Sequence, residues 1–469
     1  MSYSKPPFPI TSETVCASAP GKVILFGEHA VVYGYPAIAA ALSDLRIFVW
    51  ITPVYKSSDS NDVDNIHIIL PDLPQPIDCT VSCRDVMDTL PSSSTVVPPV
   101  PHETAASLVQ HIKTRGIKNN VNANMKNKLT TTMPLDDFSI SALTPILYLF
   151  KVILLLAQPP QHRPRHGWKI YVSSQDLPVG AGLGSSAAFS VALAAALLQL
   201  ASSSSTTAAL PDLDTVNKYS YYAEILLHGQ PSGLDNAVAT YGGALQFHKT
   251  TANDQIHLQA LPHFHKLSML LVNTHIPRST KALVAKVRAL HTKYPDMVNP
   301  ILQAMGEIAK AFGQQSSSSS HENAETLLDW VRLNHALLRA VGVSHDSLDS
   351  LANMVDACTD GAAAAKLTGA GGGGCALVVW STEQARARVV EALQNQRQSY
   401  SWFSSAVGGQ GVQWHDDPAD IMEKSLNKSC SSSALSFSWL PMLQRVTMAS
   451  LVLAAAGAVA SRTLAPKKI

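Results

Sequence analysis

Apolar residues in this chain gather into short runs punctuated by glycine and into a few longer stretches without punctuation. Val23-Ile24-Leu25-Phe26 lies between Gly21 and Gly27 and predicts a buried strand. Similar strand-like runs recur at Leu45–Thr52, Lys169–Ser173, Gly243–Phe247, Met269–Val272 and Cys375–Trp380. Val31–Leu42 and Ala187–Leu200 are rich in alanine and leucine, both strong helix formers, and predict helices. Ile140–Ala157 is apolar enough to raise a membrane-spanning reading. Lys151 falls in mid-run without charged flanks, so a buried helix of a globular core is expected instead. Polar stretches separate these elements. Residues 1–14 read as a loose tail, 55–64 and 91–135 as surface insertions, and the serine runs 202–205 and 316–320 as loops. Strands mixed with long helices give an α+β or α/β protein, and a fresh strand–helix–strand pattern from about residue 265 predicts a second domain.

Composition narrows the class. A length of 469 residues fits two or three domains, and 46% apolar with only 15% charged residues excludes a disordered chain. Lys plus Arg (35) nearly balances Asp plus Glu (34), which argues against a dedicated nucleic-acid binder. A local anion site needs only a few donors and stays open. The six cysteines are scattered, and the close pair Cys79 and Cys83 has no matching second pair, so no zinc site is expected. No apolar segment follows Met1, so no secretory signal is expected, and reduced thiols fit a cytosolic-type compartment.

Three glycine-dense segments carry the candidate chemistry. They are 19–34 around Gly21, Gly27 and Gly34, then Pro178-Val179-Gly180-Ala181-Gly182-Leu183-Gly184-Ser185-Ser186-Ala187, then Gly369-Ala370-Gly371-Gly372-Gly373-Gly374. In the second, the glycines let the backbone fold tightly and turn bare N–H groups outward, just before an alanine-rich helix. A helix N-terminus with free donors attracts phosphate, though a tight turn with a capping serine fits that segment equally well. It is not a Walker A loop, no protein-kinase motifs occur, and the dinucleotide fingerprint is weak. Five glycines within 369–374 point to close approach of a ligand or another backbone, with Lys366 and Thr368 available for contacts.

In this order the three segments resemble the signature of the superfamily of small-molecule kinases named for galactokinase, homoserine kinase, mevalonate kinase and phosphomevalonate kinase. Within it they are most similar to the mevalonate kinase family. Gly27-Glu28-His29-Ala30-Val31-Val32-Tyr33-Gly34 is similar to that family's first motif. Further matches are 224–237, which contains His228-Gly229-Gln230-Pro231-Ser232-Gly233-Leu234-Asp235, then 273–280, Asn334-His335 and Gly342-Val343-Ser344-His345. The resemblance covers roughly residues 15–415.

It implies a two-domain α+β kinase with its active site in the interdomain cleft, built from 15–262 and 263–415 and flanked by a tail (1–14) and an extension (416–469). The implied reaction moves the ATP γ-phosphoryl group to the primary hydroxyl of mevalonate. The family's base and lysine match Asp235 and Lys22, and its Mg²⁺ ligands match Ser186 and Glu224. ATP should lie on Gly180, Gly182, Leu183, Gly184, Ser185, Ser186 and Ala187. Mevalonate should meet Glu28, His29, Arg278, Thr280, Gly371 and Gly372. The resemblance also implies feedback inhibition by isoprenoid diphosphates, a homodimer and a cytoplasmic location. Competing readings are a related kinase, such as phosphomevalonate kinase, and a non-catalytic ATP and metabolite sensor on the same fold.

Each residue alone has a plainer reading. Asp235 reads as a helix cap, Glu224 as a solvent-facing helical residue, Lys22 as a surface lysine, His29 as a satisfied polar group and Arg278 as a structural ion-pair partner. Past about residue 415 the family pattern ends. Residues 446–460 carry no charge and lie between Arg445 and Arg462, which resembles a weak tail anchor. They are shorter than the ~20 residues of a spanning helix, so a packed helix or loose tail is favoured. A loose peroxisomal address pattern at 22–30 carries little weight inside a catalytic segment.

Overall fold

A computed structural model describes residues 6–54, 65–87, 109–110, 118–119, 136–155, 167–174, 177–202, 210–229, 231–249, 256–264, 266–316 and 324–418. The expected insertion 55–64, most of 91–135 and the apolar stretch 446–460 lie outside these residues. The first half runs β1 (Val15–Phe26), a 3-10 turn (Ala30–Tyr33), β2 (Ala37–Val54), β3 (Asn65–Leu70), β4 (Ile77–Ser82), α1 (Cys83–Met87), β5 (Lys118–Asn119) and α2 (Asp137–Phe150). It continues through β6 (Gly167–Ser173), α3 (Ser185–Ser202), α4 (Leu213–His228), α5 (Leu234–Tyr241), β7 (Ala244–Lys249) and β8 (Ile256–Ala260). The second half runs β9 (Leu267–Asn273), α6 (Thr280–Lys293), α7 (Pro295–Ser316), α8 (Ala324–Ala340) and α9 (Asp346–Thr359). It closes with β10 (Ala363–Leu367), β11 (Cys375–Trp380), α10 (Glu383–Asn395), β12 (Ser401–Val407) and β13 (Gln413–Trp414).

Strand β2 is the hub of the first half, pairing with β1, β6 and β7. In the second half β10, β11, β9 and β12 form an antiparallel ladder. The two ladders meet where Val407 of β12 lies opposite Leu42 of β2. Helix α3 packs on β1 and β2. Its alanines at 187, 188, 192, 194, 195 and 196 are fully buried, and small side chains let a helix lie close on a sheet.

The helix expected over Val31–Leu42 does not form. Gly34 takes a left-handed conformation (φ 88°) that ends a single 3-10 turn at Tyr33. Ala37–Leu42 then enters β2 with every residue at 0% exposure. That stretch lies in the sheet beneath α3 and α5, fully buried and paired on both sides, so tertiary packing overrides the helix propensity of alanine. Ile140–Ala157 does enter a buried helix, α2, which passes into a π turn over Lys151–Leu155. Lys151 is 1% exposed and donates to the Val86 carbonyl at 2.8 Å. Two helical windows, Asp137–Leu154 and Ser185–Ser202, are long and apolar enough to cross a membrane, yet 78% and 56% of them are buried inside the fold.

The last described stretch returns to the first half. Arg46 of β2 donates to the Gln410 and Gly411 carbonyls (2.9 and 2.6 Å) and to both oxygens of Ser18 (3.0 Å each). His415 follows β13, stacks on Phe48 and hydrogen-bonds Ser18 Oγ at 2.8 Å. Burial, then the Arg46 charge, push its pKa from 6.5 down to about 4. The folded state therefore needs a neutral ring, and its stabilisation is complete above pH 6.5 and lost as pH falls toward about 4. The loss should be about 2 kcal/mol after allowance for partial exposure. Urea midpoints measured from pH 7 to 4 should fall less steeply for His415→Gln than for the unaltered chain; identical slopes would remove His415 from this account.

Candidate active site

Lys22 sits in β1 at an irregularity in its pairing with β2, between Pro20 and Lys22. Its N–H donates to the Leu183 carbonyl at 2.8 Å, which ties the strand to the loop before α3. Its ammonium lies 3.0 Å from Asp235 Oδ1, with side-chain exposures of 8% and 38%. The lysine is therefore fixed in the wall, whereas the carboxylate opens to solvent. Asp235 lies in the first turn of α5, and Gly233 (φ 78°), not Asp235, occupies the cap. A carboxylate in that position is favoured by the helix dipole as well as by Lys22.

Beside this pair, Ser186 in the first turn of α3 donates to Glu224 Oε2 at 3.2 Å. Ser190, one turn on, donates to Glu224 Oε1 at 3.0 Å. Glu224 on α4 is 3% exposed, contrary to its plain reading as a surface residue. Burial, reinforced by the Asp235 charge, raises its carboxyl to about 7 against the donors from Ser190 and Ser186. His228, one turn further along α4, places Nε2 3.0 Å from Ser186 Oγ and 3.5 Å from Glu224 Oε2. Sequence reasoning assigned neither Ser190 nor His228. Their i,i+4 spacing from Ser186 and Glu224 was the available signal.

The loop 180–184 keeps positive φ at Gly180, Gly182 and Gly184 (79°, 81° and 71°). Leu183 and Ala187 are fully buried, and Ser185 opens α3. Gly182 suits glycine on two counts: its φ of 81° strains any side chain, and a Cβ there would lie 1.3 Å from Arg278 Nη2 and push the guanidinium aside.

Arg278 is the bridge between the two later glycine segments. It donates to the Ala181 carbonyl at 3.4 Å and the Thr368 carbonyl at 3.1 Å. A guanidinium has five N–H donors, so this bridging leaves donors for an anion. Thr280 opens α6 two residues later and is exposed, and Ser279 caps the helix. Within the third segment the contacts divide. Gly369 and Gly374 lie against Arg278, whereas Gly371 and Gly372 press on Val343 and Leu283, with Gly372 N–H donating to the Val343 carbonyl at 2.7 Å. Both residues singled out for substrate thus brace the loop on the second half of the chain.

His29 takes φ 61°, unusual for a non-glycine residue, and its Nε2 lies 2.9 Å from the Ala370 carbonyl. A carbonyl only accepts, so Nε2 carries the proton. Burial lowers the His29 pKa, against that same hydrogen bond, and keeps the ring neutral. Glu28 is not open to the cleft as its expected role requires. It is 1% exposed, with Oε1 paired to Lys366 Nζ and Oε2 accepting from Asn334 Nδ2 at 3.0 Å.

A bare carboxylate held by a lysine, a hydroxyl–carboxylate pair at a helix N-terminus and glycine loops bridged by arginine define a small-molecule kinase of two-domain type. Residues 148–243 match the model of the GHMP kinases N terminal domain, and 306–398 that of GHMP kinases C terminal. The chain is 35% identical to a mevalonate kinase of Mus musculus, over 87% of this chain and 97% of the relative. It is 34% identical to that of Saccharomyces cerevisiae, covering 90% and 92% of the two chains. In fold it is similar to the crystal structure of L. major mevalonate kinase in complex with R-mevalonate (TM-score 0.57, 20% identity, covering 84% and 96%). The chain belongs to the mevalonate kinase family of the GHMP kinases.

Proposed function

We propose that this protein transfers the γ-phosphoryl group of ATP to the primary hydroxyl of mevalonate, giving 5-phosphomevalonate for isoprenoid and sterol precursor synthesis. The observation that carries the reading is the Lys22–Asp235 pair at 3.0 Å, opening beside Ser186 and Glu224. A primary alcohol is a poor nucleophile at neutral pH. Asp235 orients the hydroxyl and accepts its proton as the oxygen attacks, while Lys22 holds the carboxylate in place and stabilises the negative charge that develops. In a loose transfer the orienting role outweighs the proton transfer. The N–H groups of 180–187 and the start of α3 hold the phosphates.

Ser186 and Glu224 suit Mg²⁺, which takes few protein oxygens and completes its shell with phosphate and water. A deeply buried carboxylate beside a second carboxylate is a donor set short of positive charge, and no cluster of three or more His, Cys, Asp or Glu competes for the role among the described residues. When bound, the cation neutralises charge on the β- and γ-phosphates. His228 keeps the Ser186 hydroxyl turned toward Glu224. On the substrate side, Arg278 holds the mevalonate carboxylate with the donors that bridging leaves free, Thr280 stands beside it and His29 lines the polar end. Gly371 and Gly372 support that wall from behind.

Isoprenoid diphosphates compete with ATP at the polyphosphate cradle, the protein is a homodimer and it resides in the cytoplasm. Among the described residues, the burial of the apolar windows Asp137–Leu154 and Ser185–Ser202 within the fold supports core helices in place of membrane spans. ADP release with a panel of alcohols tests the function. Mevalonate should be preferred, with no turnover once divalent cations are chelated. Preference for phosphomevalonate, galactose or homoserine would reassign the substrate, and ATP binding without turnover would make the protein a sensor.

A further inference from the structure

The catalytic pair leaves one buried ion pair unused. Glu28, in the turn after β1, and Lys366, at the end of β10, are 338 residues apart in sequence and joined side chain to side chain. Neither is more than 1% exposed. Lys366 also lies over the Phe26 ring, 5.9 Å from its centroid. Asn334 of α8, fully buried, turns its amide NH₂ to the other Glu28 oxygen, although this leaves its own Oδ1 without a partner. Two elements, β10 and α8, thus converge on one carboxylate.

What they hold in place is the turn at His29. Two residues beyond Lys366, the Thr368 hydroxyl donates to the Ile24 carbonyl (2.9 Å) and accepts from the Ile24 N–H (3.2 Å). Two further on, the Ala370 carbonyl receives His29 Nε2–H. Lys366–Glu28, Thr368–Ile24 and Ala370–His29 therefore stitch segment 24–29 to segment 366–370. A non-glycine residue at positive φ persists only where its surroundings hold it. Charge matters as well as geometry. A carboxylate without a partner directly behind His29 would repel a substrate that is itself a carboxylate.

We infer that Lys366, assisted by Asn334, is a positioning residue that neutralises Glu28 and locks the His29 turn, so that the cleft receives an anionic hydroxy acid. The inference rests on the mevalonate reading above. It assigns to Lys366 the affinity for the hydroxy acid and no part in nucleotide binding.

Steady-state ADP release by the full chain separates these effects. Lys366→Met should raise the KM for mevalonate about tenfold or more while the KM for ATP stays within about twofold. Lys366→Arg should recover most of the loss. The double variant Lys366→Met with Glu28→Gln should bring the KM for mevalonate back to within about threefold of the parent, because no bare charge remains. An unchanged mevalonate KM in a Lys366→Met protein that binds nucleotide normally would overturn the inference, as would parallel rises in both KM values. If Lys366→Met does not fold, the double variant decides: restored mevalonate KM supports the role, and a KM still raised about tenfold rejects it. A parent protein that releases no ADP with mevalonate would instead sink the functional reading itself.

Discussion

Asp235→Asn should lower kcat by about 10³-fold, within the range for loss of a positioned base, and leave ATP affinity nearly unchanged. Asparagine keeps the shape of the side chain and a hydrogen bond for Lys22, but it accepts no proton and carries no charge. The structure explains why the loss should fall on kcat. Asp235 is the exposed member of the pair (38% against 8%), and on the proposed reading it meets the incoming alcohol while residues 180–187 receive the phosphates. Rapid-quench measurement of the chemical step checks this. A tenfold loss of ATP affinity with an intact chemical step would move Asp235 from the alcohol to the nucleotide.

The second large effect is expected at Glu224. Glu224→Gln should reduce kcat/KM by about 10²–10³-fold and remove the Mg²⁺ dependence of ATP binding. The glutamine fills the same buried space and still accepts from Ser186 or Ser190, so the fold should survive. Titration calorimetry with ATP, with and without Mg²⁺, gives a readout independent of turnover. An unaltered difference between the two titrations would show that Glu224 does not hold the cation.

Much of this site was legible in the sequence because it sits at punctuation. The strand ending at Phe26, the glycines at 180, 182 and 184, and the helix opening at Ser185 are local signals, and local chemistry determines them. The pairings between distant segments were not legible. Nothing near Glu28 in the sequence announces Lys366 or Asn334, because those contacts arise only when β10 and α8 come against the turn after β1. Glu28 was therefore expected to face substrate, whereas the fold buries it. Ala37–Leu42 misled in a different way. Alanine's intrinsic preference favours a helix, but it is a weak prior, and pairing with β1 and β7 beneath two helices outweighs it. Arg278 was expected to meet substrate, and its bridging of two glycine loops follows from the missing side chain at Gly182, which only the folded backbone brings alongside.

The most direct test is a crystal structure of the protein with mevalonate, Mg²⁺ and a non-hydrolysable ATP analogue. The mevalonate primary hydroxyl should lie about 3 Å from an Asp235 oxygen and in line with the γ-phosphate, which should rest on the N–H groups of 182–187. A nucleotide bound away from that loop, or a hydroxyl beyond reach of Asp235, would contradict the account.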